Sequence, residues 1–486
     1  MRANSKKSVL CLLAVFTLTA LTGCGNYEET SSVAASISSA ATSLSSLTPS
    51  SVVASSTQGS SVVSSEVVSS AVAEPKNGKV AVFPLGWEPW RKGYILNDEI
   101  VGFHQAWANQ GITTDGWDDA TKYDDTKWTV SFADNIYWNA DNFKIIPNYN
   151  GTNLTEVLTA AASFIAQAQP SYLAINTSGL GVYSNCQLAT YSPNTKIIDG
   201  CGAITSDYQT GFNAGVIDSM IAYYSSYVGP SFAMLYAALE GKAISATPVS
   251  LDHPSWYVNS KELFNNMYAD TAIPSDGSLT GTALNPLVTK AQMDAIFESS
   301  SDQATRLAAF QSYLGKSTYQ DLKANKAASD ASVANSGTKY KIGVIHTGET
   351  DAASTMYNNY LKYYIAPLYN VEFNFQSQYY TAGTNDFKAT VDDLVNAGCD
   401  AVMINTDGSA GQRLAGIEEA IAKKVYVICG ASSTVYEDEY PTIKTAVNND
   451  ADYNKYFVGA CSASEASVVK LTSDMLTTVM DRVKNA

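Results

Sequence analysis

Polar and aromatic side chains that could hold a small molecule occur at or just after the ends of short apolar runs. Near the start of the chain, Trp87 and Trp90 stand beside Arg91. Two flat apolar faces next to a planar donor fork suit the binding of a small polar ring. Packing in a hydrophobic core is the other interpretation of these tryptophans. The remaining candidates for ligand contacts are Asn176, Asp199, Tyr223, His346, Thr347, Glu349, Thr406, Asp407 and Ser432.

Short apolar, β-branched runs alternating with amphipathic helical patterns must position these residues. Lys341–Thr347, Ala397–Asp407 and Val425–Gly430 each contain an apolar run that ends in small or polar residues. This alternation predicts parallel strands joined by right-handed crossovers. The polar ends of parallel strands collect at the carboxyl edge of a sheet, where open α/β sheets bind ligands. We therefore predict a binding site at such an edge.

The segment from Gly78 to about Ser250 has the same organisation. Lys79–Phe83, Ser171–Thr177 and Lys196–Gly200 are predicted strands, and an amphipathic helix is predicted over about Asn153–Gln167. The predicted fold class is therefore α/β. It has two lobes, each a mostly parallel sheet flanked by helices.

The first residues predict export. Basic residues precede an apolar run, Val9–Leu21, that is too short to span a bilayer and ends at Leu-Thr-Gly-Cys. This ending resembles the bacterial lipoprotein lipobox, which implies cleavage after residue 23 and lipid attachment to Cys24. An ordinary signal peptide is the alternative. Residues 24–77 are rich in Ser, Ala and Val, which predicts a flexible tether.

The net charge and the spacing of the cysteines limit the classes of partner and ligand that the sequence predicts. The formal net charge is −16 and basic residues form no cluster, which argues against nucleic acid as a partner. The cysteines beyond Cys24 have no metal-ligand spacing. Cys186 and Cys201 could form a disulfide in an oxidising exterior, and the sequence leaves that question open.

Catalytic motifs are absent from the sequence. The three histidines, His104, His253 and His346, lie far apart, and no nucleophile elbow or phosphate-binding glycine loop occurs. The aspartates between Asp115 and Asp125 lack the spacing of a calcium loop. We expect no enzyme activity, no catalytic residue, no metal and no cofactor, and a structural or ligand-facing role for His346.

Three further stretches carry a resemblance. Gly398–Ile404 fits a "G-x-D-A" pattern before a strand, Lys455–Gly459 is similar to a "Y-V-G" strand, and Gly215–Lys242 ends in the form "A-L-x-G-K". On these motifs the chain resembles the type I periplasmic-binding-protein family, the solute receptors of ABC importers. The resemblance covers nearly everything after Gly78.

The order of the two lobes is reversed relative to that family. Residues 78–250 resemble the family's C-terminal lobe, and residues 338–486 resemble its N-terminal lobe. Residues 251–337 are left as a hinge crossing and helical connector, and Ala243–Val249 looks like the strand that family members send back to the other lobe. A circular permutation is the expectation. Two tandem partial repeats are the alternative.

The resemblance implies a function. It predicts a monomeric, lipid-anchored receptor on the extracytoplasmic side of the cell membrane, which captures a small polar solute, above all a sugar, and delivers it to an ABC permease. Coupling to a membrane sensor kinase, or an exported enzyme on the same scaffold, are the alternatives.

Several positions depart from the family's sugar receptors. Glu99 stands where Arg is common, Thr177 and Ser178 replace an "N-D" pair, and Tyr223 stands near a usual Gln. These departures leave the identity of the ligand open.

Overall fold

The computed structural model describes most of the chain after residue 78. The described residues are 79–83, 101–103, 105–106, 108–109, 128–134, 137–138, 144–146, 154–176, 179–273, 284–287, 289–298, 302–329, 339–348, 352–378, 387–406, 410–430 and 450–485. The predicted signal peptide (residues 1–23), the lipidated Cys24 and the tether (residues 24–77) lie outside them.

The first sheet has eight strands in the described part of the chain. They are β1 (Lys79–Phe83), β2 (Trp128–Asp134), β3 (Tyr137–Trp138), β4 (Lys144–Ile146), β5 (Tyr172–Ile175), β6 (Lys196–Ala203), β7 (Ile217–Tyr223) and β9 (Trp256–Val258). Their order is β3-β2-β1-β5-β6-β7-β9, with β4 paired to β2. The central strands β1, β5, β6 and β7 are parallel, whereas β2, β3, β4 and β9 pair antiparallel.

The second sheet has six strands, and all of its described pairings are parallel. They are β8 (Val249–His253), β10 (Tyr340–His346), β11 (Val371–Ser377), β12 (Ala401–Asn405), β13 (Tyr426–Cys429) and β14 (Phe457–Ala463). Their order is β11-β10-β12-β13-β14-β8. The strand predicted over Ala243–Val249 therefore lies later in the chain, at β8.

Helices flank both sheets. They are α1 (Leu154–Ala168), α2 (Gly179–Asn185), α3 (Leu188–Tyr191), α4 (Ser206–Ala214), α5 (Gly229–Leu239), α6 (Lys261–Thr271), α7 (Lys290–Glu298), α8 (Gln303–Leu314), α9 (Tyr319–Ser329), α10 (Ala352–Asn359), α11 (Ala366–Tyr369), α12 (Phe387–Asn396), α13 (Ala410–Ala422), α14 (Ala451–Tyr456) and α15 (Glu465–Asn485). A π-helical turn, Tyr360–Ile365, joins α10 to α11. The predicted α/β class, with two mostly parallel sheets flanked by helices, is confirmed. None of the described helices is both long and apolar enough to cross a membrane.

Continuous apolar runs form the central strands because both faces of these strands are covered. All four residues of β5 and all five of β12 are buried, as expected for parallel strands between helical layers. Within the helical connector predicted over residues 251–337, α7 and α8 are separate helices. The second, α8, starts anew because the Asp302 carboxylate accepts hydrogen bonds from the N–H groups of Ala304 and Thr305.

Three crossings between the sheets lie at their carboxyl edges, and a fourth connection runs from β9 through the helices α6–α9 to β10. The first crossing leaves β7 through a 3-10 turn, Ser225–Val228, and enters α5, which packs on β12, β13 and β14. The second joins β8 of the second sheet to β9 of the first. The third leaves β14 and enters α15, which packs on β1, β6 and β7. Each sheet is therefore completed by segments from both halves of the chain.

The carboxyl edges of the two sheets meet at these crossings. Tyr223, His253 and Ala463 are the last residues of β7, β8 and β14, and β9 starts at the same edge because it runs antiparallel to β7. The hydroxyl of Tyr227 accepts a hydrogen bond from the N–H of Ala463 at 2.9 Å. The three crossings therefore touch one another at the junction of the two edges.

Cys186 is a buried free thiol, so it is not bridged to Cys201. The open question of a Cys186–Cys201 disulfide is thereby answered in the negative. Burial raises the pKa of the Cys186 thiol to about 12. The side chain therefore acts as a small apolar group of the core.

Gly459 fixes the pairing of the crossing strand β8 with β14. Its φ is +119°, and a Cβ at this position would lie 2.0 Å from the carbonyl oxygen of Val249. We expect Gly459→Ala to lower the free energy of unfolding by more than about 3 kcal/mol, because strain and a backbone clash combine. Urea unfolding followed by circular dichroism measures the loss.

Gly215→Ala is the matched control for this substitution. Gly215 has a φ of +74°, but a Cβ there would meet nothing within 4 Å. Only the left-handed backbone conformation is penalised, at about 1–2 kcal/mol. Equal losses in the two variants would show that the close approach of β8 to Gly459 does not matter.

Candidate functional site

The candidate site is the pair of carboxyl edges that face each other beside the crossings. Parallel strands end at these edges, so their last residues and the loops after them converge there. Of the predicted ligand-contacting residues, six are described and lie at these edges. They are Asn176, Asp199 and Tyr223 in the first sheet, and His346, Thr347 and Thr406 in the second.

Two threonines form a hydroxyl pair at the edge of the second sheet. Thr347 follows the end of β10, Thr406 follows the end of the neighbouring β12, and their Oγ1 atoms lie 2.9 Å apart. Both side chains are buried. A hydroxyl has one donor and two acceptor positions. The pair can therefore hydrogen bond a polar ligand as well as itself.

His346 is the last residue of β10 and directly precedes Thr347 in the sequence. Its side chain is buried. Its ring packs edge-to-face against Phe375 of the adjacent β11, with ring centroids 6.2 Å apart. The aromatic contact limits the rotation of the imidazole. This placement agrees with a structural or ligand-facing role.

An amide, a glycine and a serine converge one strand further along. A Cβ on Gly430, which follows β13, would lie 2.1 Å from Oδ1 of Asn405 and 3.2 Å from Oγ of Ser231. Asn405 ends β12, whereas Ser231 is in the first turn of α5. A side chain at position 430 is therefore excluded, and the glycine leaves the space for the amide and the hydroxyl.

Arg413 is one of the largest fully buried side chains of the described protein. It lies near the start of α13, the helix that follows β12 at this edge. A guanidinium stays charged at any relevant pH and carries five donors, so it requires several acceptors when buried. Arg413 is therefore a buried positive charge in the helix that follows β12.

Asp199 stabilises the edge of the first sheet through hydrogen bonds to residues of its own lobe. Its Oδ2 accepts hydrogen bonds from the N–H of Gly179 at 2.8 Å and from the Tyr208 hydroxyl at 2.6 Å. Its Oδ1 accepts from the N–H of Cys201 at 3.1 Å. Burial raises the pKa of the carboxyl, and these three donors oppose that effect. Asp199 thus joins β6 to the first turn of α2.

Asn176 and Tyr223 end β5 and β7 at the same edge. Asn176 is fully buried. The Tyr223 ring packs edge-to-face on Tyr227, with ring centroids 5.0 Å apart, and on Tyr357 of α10, at 6.4 Å. Tyr223 therefore belongs to the junction between the sheets as well as to the predicted site.

The other predicted contacts fall outside the described residues. They are Trp87, Trp90, Arg91, Glu349, Asp407 and Ser432. In sequence, each lies in the segment that follows a strand ending at one of the two edges. The calls on these six residues stay predictions.

Sequence reasoning missed Asn405, Ser231, Arg413 and Tyr208 at these edges. Asn405 had a signal, because it ends an apolar strand as the other candidates do. Ser231 and Arg413 lie inside helices, and Tyr208 reaches Asp199 from α4, so only the folded chain brings them to the site. Among the described residues, no group of three or more His, Cys, Asp or Glu side chains could hold a metal ion.

We expect Asp199→Asn to destabilise the first sheet by about 2–3 kcal/mol. The amide would turn a donor toward one of the three donors that the carboxylate accepts, leaving buried groups unpaired. Urea unfolding at pH 7 measures the loss. Tyr208→Phe, which removes one of the three bonds, should cost about 1 kcal/mol. Asp199→Asn with wild-type stability would contradict this role.

Comparisons with known proteins were made for the whole chain. No protein-family profile matches it, and no curated protein matches its sequence. Its function is therefore argued from its own residues and geometry.

Proposed function

We propose that the chain is a receptor that binds a small polar solute between two α/β lobes. Each lobe consists of one sheet with its flanking helices. The solute lies between the carboxyl edges of the two sheets, and the three crossings form the hinge about which the lobes close. Receptors of this kind deliver the solute to a membrane partner.

The arrangement of the crossings carries this proposal. All three join the carboxyl edge of one sheet to the carboxyl edge of the other, at β7, at β8–β9 and at β14. Two ligand-binding edges are thereby directed at each other and connected by short segments. Such an arrangement favours a solute enclosed from both sides over one bound at the edge of a single sheet.

The described polar groups favour a ligand rich in hydroxyl groups. The Thr347–Thr406 pair offers hydroxyls, Asn405 offers an amide, and His346 offers an imidazole. These groups donate and accept hydrogen bonds without a net charge, as sugar hydroxyls do. Trp87 and Trp90 would supply stacking faces for the ring. A sugar is therefore the proposed class of solute.

The order of the lobes supports a circular permutation of the type I periplasmic-binding-protein fold. Near the end of α15, Arg482 Nη1 lies 2.8 and 3.0 Å from the two carboxylate oxygens of Asp218, at the start of β7. The helix thus ends at the edge where the parallel strands of the first sheet begin, β1 among them. Connecting α15 to β1 and opening the chain before β10 would restore the family's order.

The remaining parts of the proposal follow from the sequence. Cys24 would anchor the protein to the outer face of the cell membrane, and the tether would give it reach. The membrane partner would be an ABC permease. The receptor would act as a monomer, without catalysis.

Ligand capture is tested on the mature protein. Mass spectrometry of the purified protein under native conditions should detect a bound solute of sugar mass, identified after denaturation. Adding that solute at about 100 times its Kd should stabilise the protein by about 2.7 kcal/mol, seen as a rise in melting temperature. If no co-purified solute and no sugar raises the melting temperature, the receptor function is refuted.

Thr347→Val locates the ligand at the proposed edge. It preserves the side-chain shape but removes one hydroxyl, so affinity for the solute should fall about five- to tenfold. Thr190→Val is the matched control, because Thr190 is exposed on α3, away from both edges. Each variant is compared with its own ligand-free melting temperature. Equal affinity in the two variants would place the ligand elsewhere.

A rearranged chain tests the permutation. Residues 339–485 would come first, followed by about eight Gly and Ser residues and then residues 79–338. The linker must cross three strand spacings from β7 to β1, about 15 Å. We expect wild-type circular dichroism and a melting temperature within a few degrees. A chain opened inside β12, between Met403 and Ile404, is the control that should fail to fold. Failure of both chains would favour two partial repeats.

A further inference from the structure

A buried group of rings, which we call the hinge cluster, lies where the three crossings meet. Its members come from both sides of the junction. They are Tyr223, Tyr224, Tyr227, His253, Trp256 and Tyr357. The first three belong to the crossing that leaves β7, the next two to the crossing between β8 and β9, and the last to α10 of the second lobe.

Tyr227 links all three crossings. Its ring packs edge-to-face on His253 with centroids 4.5 Å apart, and it stacks on Tyr357 at 5.8 Å. Its hydroxyl accepts a hydrogen bond from the N–H of Ala463, the residue at which the third crossing begins. A rotation of one lobe against the other must therefore displace the Tyr227 ring or its hydrogen bond.

His253 lies at the centre of this cluster and is 1 % exposed. Its Nδ1 lies 3.3 Å from the Tyr224 hydroxyl and 3.4 Å from the carbonyl oxygen of Pro254. Tyr224 is in turn stacked on Trp256, with ring centroids 3.6 Å apart. The Nε2 atom of His253 is buried and has no hydrogen-bond partner among the described residues.

The charged and titratable groups around His253 do not compensate a positive charge on the ring. Tyr224 and Tyr227 face it from the first crossing, and burial raises the pKa of Tyr224 well above its usual value. Asp252 precedes His253 on β8. Its negative charge raises the pKa of His253, but by less than burial lowers it. Cys461 on the paired β14 is a buried neutral thiol.

The helix α8 also packs on β8, and its basic residue is engaged elsewhere. The guanidinium of Arg306 donates a hydrogen bond to the carbonyl oxygen of Ala243 at 3.0 Å.

Burial lowers the pKa of His253 to about 4. At neutral pH the ring is uncharged, and we assign the tautomer in which Nδ1–H donates to the carbonyl oxygen of Pro254, which leaves Nε2 as an acceptor.

Protonation would place an N–H at Nε2, where the described cluster offers no acceptor. A buried unpaired donor costs about 1–3 kcal/mol, and the charge adds to that cost. The cost is relieved if the crossings separate and water reaches Nε2. An arrangement of the lobes in which the hinge cluster is open therefore gains stability relative to the closed cluster as the pH falls.

We propose that protonation of His253 opens the hinge cluster and thereby changes the angle between the two lobes. The proposal rests on the two-lobe arrangement but not on the identity, or even the existence, of a bound solute. His253 ends β8 at the junction of the two edges and is not among the predicted ligand contacts, so its role here is regulatory. A receptor built in this way holds its ligand differently in acidic and in neutral surroundings.

The sign of the effect follows from proton linkage. The pKa of His253 is lower in the folded protein than its ordinary value near 6.5, so the unfolded or opened state binds more protons between these values. The closed cluster is most stable above about pH 6.5, and the equilibrium constant for its closure falls by at most about tenfold per pH unit down to about pH 4. The loss occurs on acidification.

The test measures the distance between the lobes without ligand. Spin labels are attached through p-acetylphenylalanine at Thr190 and Ala422, which are exposed on α3 and α13. This chemistry leaves the native cysteines unlabelled. Double electron–electron resonance on the full chain in detergent, at steps from about pH 7.5 to 4, should give a shift of the main distance peak between about pH 6.5 and 4. Circular dichroism at each pH verifies that the protein stays folded.

His253→Gln is the deciding variant, because it keeps hydrogen-bonding capacity but does not titrate. We expect its distance distribution to be independent of pH over the same range. An unchanged distribution in the wild type, or an equal shift in the variant, overturns the proposal.

A second measurement keeps the test decisive if the His253→Gln variant does not fold. The imidazole resonances of the three histidines are followed by NMR and assigned with His104→Gln and His346→Gln. A distance midpoint that coincides with the His253 titration supports the proposal, and one that differs from it overturns the proposal. A failed search for a solute leaves both outcomes intact, so the two proposals fail independently.

Discussion

The pairing of β8 with β14 is the constraint on which the rest of the molecule depends. It brings a strand from the middle of the chain to the end of a sheet whose other strands all come later in the chain, with Val249 against Gly459. The second and third crossings must then run side by side, and Ser464 donates its N–H to the carbonyl oxygen of His253 at 2.9 Å. Both carboxyl edges are directed at each other as a result.

The two edges contribute different chemistry to the site between them. The edge of the second sheet presents hydroxyl, amide and imidazole groups near a buried arginine, Arg413. At the edge of the first sheet, Asp199 is occupied by three donors and holds α2 against β6. Because its oxygens already accept three hydrogen bonds, this carboxylate stabilises the edge, and other groups would contact a ligand. In the proposed receptor, Asp199 would thus support the edge, and neighbouring groups of both sheets would contact the ligand.

The sequence predicted the layers of this protein better than their connections. Runs such as Ala401–Ile404 and Tyr172–Ile175 are apolar throughout because parallel central strands are covered on both faces, so the α/β class could be predicted directly. The crossings could not be predicted, because no local sequence pattern indicates that Val249–His253 pairs with β14. Site residues at strand ends were predictable, whereas Ser231 and Arg413 lie on helices whose neighbours are set by tertiary packing.

The position of α15 has a consequence for biosynthesis. This helix of 21 residues follows every described strand, yet it covers β1, β6 and β7, which lie in the first half of the chain. The first lobe therefore lacks part of its apolar cover until α15 has been synthesised. Contacts so distant in sequence also delay folding, because long loops must close first. The first lobe can therefore complete its fold only after the strands of the second lobe have been synthesised.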